Sequence, residues 1–315
     1  MTREVLTPTA EDLDAAARVV ADRLAPTPLV PAPALGVRVW LKLETLQPTG
    51  SFKVRGALAA LSRAGGGPVV TASAGNAGLG VAWAATALAV PATIVVPESA
   101  SPAKVAALRA LPVELVMHGA DYDAAEAHAL SRPGTYVSAY NDTHVVAGAA
   151  TVGRELAALD GPLTVVCGIG GGGLASGLGL WASSRPGARV VAVEAERSPA
   201  FSTALAAGAL TEVEVEETLA DGLAGNIEPG SVTFPLVRDH VAAVVGVDEP
   251  AIEDGIRFLA RAHGLVAEGA GAVPAAALLR GVIEPGEGAT VLVVSGRNIA
   301  LERLAQVLGM STPAG

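Results

Sequence analysis

The apolar positions of this chain recur with two periods, and the alternation between them sets the fold class. Thr9, with Asp12 three residues on, has the form of a helix cap, and Leu13, Ala16, Ala17, Val20 and Leu24 follow at helical spacing. Prolines at 26, 28, 31 and 33 then mark an extended connection. Residues 37–43 read as a strand with Val39, Leu41 and Leu43 on one face. Short buried strands at 69–71, 93–96 and 113–117 alternate with helices at 79–89, 102–110 and 122–130. Further on, 164–166, 190–193, 244–247 and 290–294 are β-branched runs, each beside a helical pattern. Uniformly apolar strands alternating with helices predict an α/β protein whose mostly parallel sheets are covered on both faces.

The length, 315 residues, suits two domains or one large α/β unit. The run Gly65-Gly66-Gly67-Pro68 and the turn-prone segment 138–142 are the best boundaries. They predict a small domain over 68–141, set within a large domain made of 1–67 and 142–315. Two apolar stretches, 64–97 and 161–184, are broken by glycines, prolines and polar residues, so neither reads as a membrane span. The first residues carry charge and no apolar leader core, which predicts a cytoplasmic protein. With 21 Lys and Arg against 31 Asp and Glu, the net charge is -10, and aromatic residues are 3%. Nucleic-acid binding needs cationic surface and usually stacking rings, so that class is set aside. The one cysteine, Cys167, excludes an internal disulfide and reads as buried packing, and the five histidines have no ligand spacing. No metal is expected.

Four segments carry chemistry. Thr164-Val165-Val166-Cys167-Gly168-Ile169 runs into Gly170-Gly171-Gly172-Gly173 and then a helix. A strand, glycines and a helix start form an anion cradle, because bare amides and the positive end of the helix dipole converge there. The plainer reading is a flexible turn chosen for tight packing. Gly168, Gly170 and Gly173 also satisfy G-x-G-x-x-G, and Glu194 follows at the distance of a ribose-binding acid. From this loop alone, a dinucleotide oxidoreductase stays open. Lys53 follows the turn Pro48-Thr49-Gly50 and starts a largely apolar helix. Desolvation and the helix dipole would lower its pKa as a Schiff-base amine requires, although a solvated surface lysine is the ordinary alternative. Ser73-Ala74-Gly75-Asn76-Ala77 is a second strand–loop–helix junction suited to a carboxylate, with Asn76 either a hydrogen-bond donor or a cap. Ser295 ends the last apolar strand, as a ligand group or a cap.

In combination and in order, these segments resemble the serine/threonine dehydratase family, which includes threonine ammonia-lyases and serine racemases, among the fold-type-II pyridoxal-phosphate enzymes. Segments 144–148, 219–223 and 266–272 are similar to three more family segments, and the likeness runs from Pro26 to Asn298. The resemblance implies two open, mostly parallel sheet domains with pyridoxal 5'-phosphate in the cleft between them. It implies that Lys53 carries the cofactor covalently and that the amides of Gly170, Gly171, Gly172, Gly173 and Leu174 hold its phosphate. Asn76 would bond the ring's 3-hydroxyl and Ser295 the pyridine nitrogen, with Phe52 against the ring. Ser73, Ala74, Gly75, Asn76 and Ala77 would take the carboxylate of a small amino-acid substrate. The implied reaction is β-elimination from threonine or serine to a 2-oxo acid and ammonia, with Lys53 taking the Cα proton. Sibling chemistries are β-replacement, racemisation and dehydration of a larger 3-hydroxy amino acid. An NAD-dependent oxidoreductase is the distant rival. A homodimer or homotetramer is the implied assembly.

The chain departs from the family pattern at several points. Ala74 stands where racemases place a serine hydroxyl, which argues against racemisation. Ala77 replaces a frequent histidine. Arg297 replaces a glycine and adds a charge expected near the pyridine edge. Glu194 matches one ligand of a cation site found in part of the family, but Ala200 falls where a second carboxylate would stand and Ser198 offers only a carbonyl. Glu268 is similar to a family carboxylate near the cofactor. The sequence ends 17 residues after Asn298, so the regulatory domain of biosynthetic threonine dehydratases is not expected.

Overall fold

The computed structural model describes residues 4–310. Met1, Thr2 and Arg3, part of the segment read as lacking a leader, lie outside them. Among the described residues there are ten strands: β1 (Leu29–Pro31), β2 (Val39–Leu43), β3 (Val69–Ala72), β4 (Ala92–Val96), β5 (Glu114–Met117), β6 (Thr135–Tyr136), β7 (Leu163–Gly168), β8 (Ala188–Ala195), β9 (Ala243–Val247) and β10 (Ala289–Val294). They form two sheets, ordered β1-β2-β10-β7-β8-β9 and β5-β4-β3-β6. Every pairing is parallel except β1 with β2. β1 and β6 were not legible as strands. β1 lies in the proline-rich connection and ends at Pro31, tolerable on an edge where the missing N–H is not needed. The two-residue β6 is too short to show a period.

The apolar runs are explained by the two faces of the six-stranded sheet. Val166, Val193, Leu292 and Val294 point into one core, while Val165, Cys167, Val291 and Val293 point into the other. Each strand must therefore be apolar at both parities, and alternation disappears. All six residues of β7 and of β10 are buried.

The helices that matter for the site are α1 (Ala10–Arg23), α2 (Lys53–Arg63), α3 (Asn76–Leu88), α4 (Pro102–Arg109), α5 (Tyr122–Ser131), α6 (Thr143–Arg154), α7 (Gly173–Ser183) and α8 (Ala200–Ala207). The predicted cap is present: Thr9 Oγ1 accepts the Asp12 N–H and the Asp12 carboxylate accepts the Thr9 N–H. α2 packs against α6 at a crossing of two glycines. A Cβ at Gly148 would stand 2.5 Å from the Arg55 carbonyl and 2.6 Å from the Gly56 Cα. Val54, Leu58 and Leu61 of α2 are closed to solvent, each side chain contributing roughly 1.5–3 kcal/mol by burial. The strand ends matter most. β7 runs into the tetraglycine and α7, β10 into Ser295, β3 into the loop before α3, and β2 towards Lys53. The carboxyl edge of each sheet is where such folds gather ligand groups. Among the described residues no helix is long and apolar enough to cross a membrane.

Candidate active site

Lys53 is the first residue of α2, and its side chain lines a cleft with Phe52, Asn76, Tyr140, Glu268 and Ser295. Its Nζ donates to the Ala139 carbonyl at 2.9 Å and lies 5.2 Å from the centre of the Phe52 ring. Burial lowers the amine to about 8, and the opposite charge of Glu268 resists that shift. α3 backs onto this helix start through Gly80, where a Cβ would meet the Lys53 carbonyl at 3.1 Å.

Gly170 to Leu174 line the same cleft. Among the described residues the N–H groups of Gly170, Gly171 and Gly172 have no main-chain acceptor. The first turn of α7, which starts at Gly173, adds further free amides. Gly172 sits at φ +88, in the region that favours glycine. The tight-packing reading of the glycines holds as well. A Cβ at Gly170 would stand 2.7 Å from the Leu223 Cα, and one at Gly171 2.3 Å from the Tyr140 ring. The turn is closely packed against Leu223 and Tyr140, and its glycines line the cleft.

Asn76 and Ser295 line the cleft, and neither acts as a cap. Asn76 is the first residue of α3, and its amide donates to Glu268 Oε1 at 2.7 Å. Ser295 Oγ makes a long contact, 3.3 Å, to the Ala270 carbonyl. Ser73, Ala74 and Gly75 form the half-buried loop between β3 and α3, with Ser73 Oγ accepting the Gly75 N–H at 3.2 Å, and Ala77 is buried in the first turn of α3. These four flank the cleft and are not among its lining residues.

Arg297 requires a correction. The sequence placed its charge near the pyridine edge. In the structure the guanidinium donates to the Thr45 carbonyl, and Arg297 does not line the cleft. Gly50, lacking a side chain, lets the Arg297 chain pass at 3.3 Å from where a Cβ would be.

Two features escaped sequence reading, and a third, Glu268, was singled out by resemblance alone. Tyr140 covers Gly171, and its hydroxyl accepts the Glu228 N–H at 2.9 Å, yet its segment read only as a turn. Glu268 is closed into the cleft wall, and burial pushes its carboxyl up to about 7, helped by the charge of Asp221. Behind Lys53 lies a buried ionic network. Arg55 bonds Glu44 twice and Glu155 at 2.6 Å, while Lys42 bonds Glu155 at 2.5 Å and the Thr27 carbonyl at 2.6 Å. Burial works against the Arg55 charge, but Glu44 and Glu155 more than offset it and hold the guanidinium above its usual range. Charged residues in sequence carry no mark of such burial, so no local signal pointed to it. Glu194 is also buried. Its oxygens accept the N–H groups of Phe201 and Ser202 at the start of α8, although burial still raises its carboxyl. Cys167 is buried as expected, its thiol pushed up to about 12 by burial.

The donor set fits pyridoxal phosphate. A desolvated amine suits its aldehyde, orphaned glycine amides at a helix start suit its phosphate, and an amide and a hydroxyl stand where ring polar atoms need partners.

Comparisons with known proteins agree. The family model described as pyridoxal-phosphate dependent enzyme matches residues 20–296. The chain is 40% identical over 284 residues to an L-threonine ammonia-lyase of Geobacter sulfurreducens, covering 87% of this chain and 70% of that protein. A crystal structure of threonine deaminase from T.th. superposes with TM-score 0.84 at 35% identity, covering 93% of this chain and 99% of that one. Maize serine racemase superposes with TM-score 0.86 at 27% identity, covering 96% and 98%.

Proposed function

Because the chain belongs to the pyridoxal-phosphate dependent enzyme family, we propose that it is an ammonia-lyase that eliminates the β-hydroxyl of a small 3-hydroxy amino acid. Threonine and serine are the first substrates in this reading, and the products are a 2-oxo acid and ammonia. Relatives named as threonine ammonia-lyases and a deaminase along most of the chain support it.

The assignment of roles follows from position and chemistry. Lys53 would hold the cofactor covalently and, once displaced by the substrate amine, take the Cα proton. Lowering the amine from 10.5 to about 8 raises the neutral, proton-accepting fraction near neutrality by more than a hundredfold. The amides from Gly170 to Leu174 would hold the phosphate, and Asn76 would donate to the ring's 3-oxygen. Ser295 would meet the ring nitrogen as a neutral partner, and Phe52 would lie against the ring. The amides of the Ser73–Ala77 loop, at the start of α3, would take the substrate carboxylate. When bound, the cofactor supplies an electron sink for the charge left at Cα. Ala74 offers no hydroxyl on the face opposite Lys53, so racemisation is not favoured. The reading extends to a cytoplasmic protein and to a homodimer or homotetramer, the assembly that the family resemblance carries.

The observation that carries the proposal is the half-buried Lys53 amine in one cleft with the free glycine amides and Asn76. The purified protein should be yellow, lose its visible band on borohydride reduction and carry the label on Lys53. Lys53→Ala should abolish 2-oxo acid release from threonine and serine while the protein still folds and melts cooperatively. Substantial turnover in that variant would overturn the assignment.

A further inference from the structure

A polar chain beside the cleft has a fixed direction. Asn298 Nδ2 donates to the Thr49 carbonyl at 2.8 Å and to Asn76 Oδ1 at 2.6 Å. Asn76 Nδ2 in turn donates to Glu268 Oε1 at 2.7 Å. A backbone carbonyl can only accept, so Asn298 must turn its nitrogen towards Thr49. Both hydrogens on that nitrogen are then committed. Asn76 has to show its oxygen to Asn298, which leaves its own nitrogen for Glu268 and the cleft.

Two glycines make room for this arrangement. A Cβ at Gly50 would stand 2.5 Å from Asn298 Oδ1. A Cβ at Gly296 would stand 2.2 Å from Glu268 Oε1 and 3.3 Å from Asn76 Nδ2. Gly50 also lies at φ +75, where other residues are strained. The turn before Lys53 and the loop after Ser295 are both shaped around these amides.

We propose that Asn298 is a positioning residue that fixes which end of the Asn76 amide faces the cofactor, taking the Thr49 carbonyl as its reference. This rests on the assignment of Asn76 to the cofactor's 3-oxygen and deepens it. Glu268 alone is a poor reference. Its buried carboxyl, faced by Lys53, Asp221 and Lys104, sits near 7. In its protonated form it can donate to an amide oxygen, and in its ionised form it accepts from an amide nitrogen. The Thr49 carbonyl has no proton to gain or lose and always demands a donor.

The test uses the holoenzyme and reads its cofactor absorption spectrum together with kcat and KM. Asn298→Asp keeps the size but replaces the donor with an acceptor. It would draw the Asn76 nitrogen and turn the Asn76 oxygen towards the cofactor. An ionised 3-oxygen is disfavoured opposite a carbonyl oxygen, so the long-wavelength band should lose intensity to a shorter-wavelength one. kcat should fall about tenfold or more, the scale of one hydrogen bond to a charged group, while KM changes less. Asn298→Ala removes the reference without reversing it and should give a smaller shift in the same direction. Asn76→Ala tests the underlying assignment and should move the same band. If it does while neither Asn298 variant moves it, the orienting role is overturned and the Asn76 assignment survives. If Asn76→Ala leaves the band in place, the Asn76 assignment is wrong and the orienting role falls with it. Cofactor content and melting temperature of each variant separate reorientation from loss of folding.

Discussion

Arg55 and Glu44, both closed to solvent, are joined by two hydrogen bonds, Nε to Oε2 at 2.7 Å and Nη2 to Oε1 at 2.8 Å. Glu44 directly follows β2, and Arg55 stands two residues beyond Lys53. The pair therefore clamps the helix bearing the amine to the carboxyl end of β2, an inner strand of the six-stranded sheet. Arg55→Ala would remove the counter-charge bonded to Glu44, leaving only the more distant Lys42, and should destabilise the fold by about 3–5 kcal/mol. Arg55→Lys restores charge without the planar fork and should recover only part of that loss. Urea unfolding of both variants checks this, and an unchanged midpoint for Arg55→Ala would show the clamp to be dispensable.

Gly171→Ala places a Cβ against the Tyr140 ring, 2.3 Å from its Cδ1. Tyr140 cannot yield without disturbing the bond from the Glu228 N–H. Overpacking of this kind costs about 1–3 kcal/mol, here at the loop proposed to hold the phosphate. Cofactor affinity, measured by absorbance on titrating the cofactor-free protein, should fall about tenfold. Wild-type affinity would mean that the loop adjusts freely.

Glu268 ties stability to pH in the cofactor-free protein. Burial raises its carboxyl from 4.5 to about 7, so the folded chain keeps a proton that the unfolded chain loses between those values. Its contribution is complete below about pH 4.5 and is lost as pH rises through 7. Lys53, lowered from 10.5 to about 8, acts in a separate window. There the unfolded chain binds more protons, so stability grows as pH rises from 8 to 10.5. Relative to wild type, Glu268→Gln should gain stability between pH 5 and pH 8 by up to about 3 kcal/mol. A difference in melting temperature that stays flat across this range would refute the assignment.

Both Glu194 oxygens are used by amides at the start of α8, and Ala200 supplies no second carboxylate. Dialysis against a chelator should leave turnover and melting temperature unchanged. A loss that magnesium or calcium restores would show that a cation displaces those amides.

Much of the fold was legible because the cue was local. The Thr9–Asp12 cap, the two-sided strands β7 and β10 and the helix after the tetraglycine each follow from residues close in sequence. β6 has only two residues, and β1 is held by pairing with β2 rather than by its own pattern. Arg297 misled because its position beside Ser295 suggested a shared target, whereas neighbours leaving a strand end diverge. Its side chain went to Thr45, across the chain.

By itself the sequence determined the alternation of strands and helices and which chemical groups the chain possesses. Hydrophobic period, capping and the missing glycine side chain act within a few residues. Only the tertiary structure decided that Ala139 holds the Lys53 amine, that Tyr140 closes over Gly171, and that Arg55 pairs with Glu44 and Glu155. Those partners meet because parallel crossovers and helix packing bring distant segments together, and burial then alters the proton affinities of Lys53 and Glu268. No short stretch of chain encodes either effect.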